Sequence, residues 1–209
     1  MEIFTRANWV DLLVLIVVLR IVFSAFKEGL SHEIFPFIGS IATIVCDLYL
    51  YEKMAYVIHH NIKIPLELLN FVSFIAIALA MGFVLKFAKL LLDSIIKVTW
   101  HPVIEKFGGI IIGAFRAVIV ASMILITLAL MPLPYLQWSM RERSVTGVYV
   151  VGVGPFIYDN LMRMLPLAES APSVEKGSLV GRILADKSIG ANKPIVDYKS
   201  KPPAWEKSL

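Results

Sequence analysis

Chemistry in this chain would have to come from a few polar side chains set inside long apolar runs. Arg20 and Arg116 are the most informative of them, because an ionised group within such a run needs a partner or a route to water. At 1.5 Å per helical residue, Arg20 lies ~9 Å before its run ends at Phe26, and Arg116 lies ~13 Å after its own run begins at Phe107. Both of those run ends belong to one membrane face, so the two guanidiniums are expected at similar depth below Glu28, Glu33, Asp93 and Glu105. Two kinds of chemistry fit this placement. One is structural, with ion pairs or side chains snorkelling outwards. The other is a shared basic pocket for a lipid headgroup or an anionic solute.

Asp11 is the remaining intramembrane charge singled out, in the first turn of its helix, where the helix dipole favours a carboxylate. Gly109, Gly113, Ala117 and Ala121 recur every four residues and form one small-residue ridge along a helix face. In lipid, such a ridge lets backbones approach closely and gain van der Waals contact. It predicts packing either within the bundle or against a second copy or another membrane protein.

His32, His59, His60 and His101 lack metal-ligand spacing, and Cys46 lies in an apolar run where its thiol is expected to be inert. Gly152-Val153-Gly154-Pro155 is followed by neither the lysine nor the glycine of a phosphate loop, and reads as a break before a helix. No nucleophile, His cluster or carboxylate pair shares a common depth. The sequence therefore predicts no catalytic centre, no metal and no cofactor.

The elements that must carry these residues follow from composition. Of 209 residues, 58% are hydrophobic and 17% charged, and mean hydropathy is +0.76, too apolar for a water-soluble domain. The net charge of +4 and pI of about 9.1 do not call for nucleic acid, since half of the Lys and Arg residues are spread after Met131. Basic segments beside a lipid bilayer account for them. Trp9 to Leu19 after Arg6 has the outline of a secretory leader. Asp11 inside the run, Arg20 after it and no small-x-small cleavage pattern make it a first span instead.

The predicted fold is an all-α integral membrane protein in three parts. Residues 1–134 form a four-helix transmembrane domain with spans at about 9–26, 34–51, 66–92 and 107–130. The first is capped by Asn8, the second is entered through Pro36 near its first turn, and Glu52 to Ile64 is expected to be a short stretch lying in the interface. A turn at Trp100-His101 before Pro102 separates the last two spans. Residues 135–166 form an amphipathic interfacial segment, with Ser144 as a cap and Phe156, Ile157, Leu161, Met164 and Leu165 on one face. Residues 167–209 form a flexible basic tail, expected to be disordered.

On this layout the chain resembles the colicin V production protein family of bacterial inner-membrane proteins. Asn8-Trp9-Val10-Asp11 is similar to the family's opening into its first span, and Lys27-Glu28-Gly29-Leu30-Ser31 to the segment after it. The fullest likeness runs from Ile104 to Arg116, an acidic-basic pair, two glycines, a third glycine and an arginine opening the last span. The family's arginine-glycine pair near the end of the first span is Phe23-Ser24 here. The resemblance implies a multi-pass protein of the bacterial inner membrane, tied to toxin production or export and envelope homeostasis. It leaves two readings of function, a non-catalytic accessory or scaffold and a small transporter or channel for an anionic or small solute.

Overall fold

The computed structural model describes residues 9–62, 64–95, 102–131 and 147–164, and among these every element is a helix. Helix α1 spans Trp9–Glu28, with Asp11 in its first turn and Lys27 in its last, each matching the dipole at its end. The chain then turns on one residue. Gly29 has φ +83°, a left-handed conformation open to glycine because it has no Cβ, while its N–H still bonds the Ala25 carbonyl at 2.9 Å.

Helix α2, Leu30–Asn61, starts at once and runs 32 residues, ~48 Å at the usual rise and well beyond a ~30 Å apolar layer. The helix outruns the expected span of 34–51 at both ends. Pro36 lies inside it, and the stretch from Glu52 continues the same helix to Asn61. The extension holds because it keeps an inward face. Ala55 is fully buried, Tyr51 donates to Glu52 at 2.7 Å, and Lys53 lies over the Tyr49 ring at 3.7 Å.

Helix α3 is Leu66–Ile95 and α4 is Pro102–Leu130. The last span was expected to begin at Phe107. The helix instead starts five residues earlier, on Pro102, whose fixed φ and missing N–H suit a first helical position. Two short helices follow, α5 at Gly147–Val151 and α6 at Val153–Met164, broken at Gly152 as the glycine-rich stretch suggests. The Asn8 cap, the turn at Trp100-His101, the Ser144 cap and the tail of residues 167–209 lie outside the described residues.

Helix α2 packs on both α3 and α4, α1 lies along α4, and α5 and α6 close one end, whereas α1 and α3 scarcely meet. The core gathers Ile44, Tyr51, Phe74, Leu125, Ile126 and Tyr158, with Tyr51 and Phe74 edge to face at 5.9 Å. The outside is apolar as well: Leu90 is 70% exposed and Phe87 and Phe107 are each 66% exposed. That surface would be unfavourable in water and is favourable against acyl chains. Four helices are long and apolar enough to cross a bilayer, and the protein is a multi-pass membrane protein.

In α6, the side turned to the bundle is Gly154, Pro155 and Tyr158, while Phe156 and Met164 point outwards. Burial, with Tyr49, Asp159 and Glu52 adding to it, pushes the Tyr158 phenol up to about 12.

Candidate functional site

The two intramembrane arginines do come to one place. Because α1 and α3 stand apart, a crevice of about 600 Å³ opens between them, floored by α2 and α4. Arg20 reaches it from α1, Lys86 and Lys89 from α3, and Arg116 from α4, with Glu28 at its rim. Lys89 bridges the two walls by pairing with Glu28 at 3.6 Å, and Ser24 donates to the same carboxylate at 3.0 Å. Both partners are partly solvated there, so this bridge contributes little stability by itself.

Arg116 is held differently. It donates to Glu33 at 2.7 Å, and Glu33 is wholly buried. The sequence placed Glu33 among four acidic residues near the membrane surface as one candidate partner. It is the one chosen, because α2 begins at Leu30 and carries Glu33 into the bundle in its first turn. The other two candidates described bond elsewhere. Glu28 takes Lys89, and Glu105 accepts from the Ser31 N–H and hydroxyl, each at 3.1 Å. Glu105 thereby caps α2 from a neighbouring helix, satisfying an amide that Gly29, with no side chain, leaves open. Asp11 lies one helix length from this face, at the start of α1.

The small-residue ridge is spent on the same seam. A Cβ on Gly109 would come within 2.8 Å of the Ala25 carbonyl and 3.0 Å of Gly29, and one on Gly113 would collide with the Ala25 side chain. Ala117 and Ala121 are fully buried further along α4. The ridge thus lets α4 approach α1 closely enough for Arg116 to reach Glu33 on α2 and for Glu105 to reach Ser31. Deeper in the bundle, Ser122 accepts from the Gly154 N–H at 2.9 Å and donates to the Val151 carbonyl at 3.2 Å, tying α5 and α6 to α4.

The family model described as colicin V production protein matches residues 10–155, from the start of α1 to the first turn of α6. The chain belongs to the colicin V production protein family. The match takes in the crevice, the α1–α4 seam and the Ser122 clasp. No curated protein and no solved structure matches the chain.

Sequence reasoning passed over one residue in this colicin V production family bundle. Asp47 is fully buried in α2, and neither carboxylate oxygen has a hydrogen-bond partner among the described residues. A lone acid inside an apolar run is itself the signal, since such a group is costly to keep there. Ser73 on α3, also buried, has a hydroxyl without a hydrogen-bond partner among the described residues.

Proposed function

We propose that this protein is a non-catalytic accessory or scaffold of the bacterial inner membrane that supports toxin production or export and envelope homeostasis. The observation carrying this reading is the use made of its intramembrane polar groups. Arg116 with Glu33, Glu105 with Ser31, and Ser122 with Val151 and Gly154 each join one helix to another. Groups of the kind a reaction would use are committed to architecture. Family membership over residues 10–155 supports the same role.

Contact with another membrane protein, or with a second copy, falls to the outward strip of α4. Gly109, Gly113, Ala117 and Ala121 are turned inwards, whereas Phe107, Ile111 and Phe115 are exposed at successive turns. Deleting the gene from a toxin-secreting strain tests the role. Secretion and tolerance of envelope stress are expected to fall and to return with the wild-type chain, and a photocrosslinker at Ile111 is expected to capture an envelope protein. Undiminished secretion and stress tolerance in the deletion strain would overturn the proposal.

A further inference from the structure

We infer that the crevice between α1 and α3 binds a phosphate-type anion, carried on a phospholipid headgroup or free. The charge balance leads there. Four cations face the crevice, Arg20, Lys86, Lys89 and Arg116, and two carboxylates answer them, Glu28 on Lys89 and Glu33 on Arg116. Arg20 and Lys86 have no carboxylate partner among the described residues, so two positive charges are left facing one space. Like charges brought together beside an apolar layer repel, and an anion between them removes that repulsion.

The neighbouring hydroxyls have no donor left for such an anion, since each already donates elsewhere. Ser24 donates to Glu28, Ser40 to the Phe37 carbonyl and Thr43 to the Gly39 carbonyl. Binding therefore falls to Arg20 and Lys86, joined by the donors Arg116 has beyond the nitrogen given to Glu33. A planar guanidinium suits phosphate oxygens in particular. Phe35, Leu85, Val120 and Met123 line the rest of the space, and about 600 Å³ leaves room for apolar atoms attached to the anion. Unlike the scaffold role, this site makes no demand on partners and stands or falls separately from it.

The test uses the full chain purified in detergent and native mass spectrometry of retained lipid. Phosphatidylglycerol is compared with phosphatidylcholine of the same acyl chains. The wild type is expected to retain phosphatidylglycerol at least tenfold better, and Arg20→Gln/Lys86→Gln to lose at least tenfold. Lys53→Gln, a cation at the far end of α2, is expected to retain it as the wild type does. Competition by millimolar inorganic phosphate separates the sources: displacement assigns a free anion, and no displacement assigns the lipid headgroup. Without lipid the double variant is expected to melt at or above the wild-type temperature, because an unmatched charge pair is gone. Should it not fold, Lys86→Gln alone, at an exposed side chain, carries the test with a roughly threefold loss expected. Retention that ignores headgroup charge, or that survives these substitutions unchanged, overturns the site.

Discussion

Arg116 and Glu33 are 83 positions apart in the chain and 2.7 Å apart in the bundle, and the other oxygen of the buried carboxylate has no hydrogen-bond partner among the described residues. Removing one member of such a pair leaves an uncompensated buried charge. Arg116→Gln is expected to lower unfolding stability in detergent by about 3 kcal/mol, and Glu33→Gln/Arg116→Gln to recover most of it. A double variant as unstable as the single would show that the pair is not what Arg116 holds. Asp47 presents the opposite case. An unpartnered buried carboxyl costs about 1–3 kcal/mol, so Asp47→Leu is expected to raise the melting temperature by several degrees, and a lower one would show a bond that it makes. The arginines were legible from their position in apolar runs. Their partners were not, since pairing depends on where helices start and how they turn, and Glu33 fell one residue outside the expected span. Asp47 was missed because one acid in a mainly apolar run of eighteen residues hardly changes the hydropathy of that run.

Helix positions were easier to read than helix ends. Apolar run length located all four long helices, but hydrogen bonding carries a helix on past its apolar run. Hence α2 reaches Asn61 and α4 starts at Pro102, each beyond its apolar run. The ridge on α4 was visible as spacing alone, whereas its partner was not, because Ala25 and Gly29 belong to a helix end that exists only through the one-residue turn. Gly113→Val is expected to force α4 from α1 and lower stability by about 1–3 kcal/mol, as overpacking does. Gly82, with open space where a Cβ would sit, provides the contrast: Gly82→Ala is expected to leave the melting temperature unchanged or higher. Equal losses at the two positions, followed by thermal unfolding in detergent, would remove the close α1–α4 approach as the source of the effect.

As a whole the molecule is apolar inside and out. Its specificity therefore comes from small residues and a few polar bonds rather than from hydrophobic burial, which lipid supplies equally well to separated helices. Helices α2 and α4 form the centre, α1 and α3 lean on them from different sides, and the crevice is the gap this arrangement leaves. Its walls are bridged by Lys89 and Glu28, and four cations face it; on the proposed reading these hold an anion rather than line a path across the bundle. The central distinction is thus between holding an anion and conducting one. Purified protein in phosphatidylglycerol-containing liposomes, assayed with radiolabelled phosphate and chloride, tests it directly. Flux is predicted to stay at the rate of protein-free liposomes, whereas a saturable flux that Arg116→Gln abolishes would show a conducting protein instead.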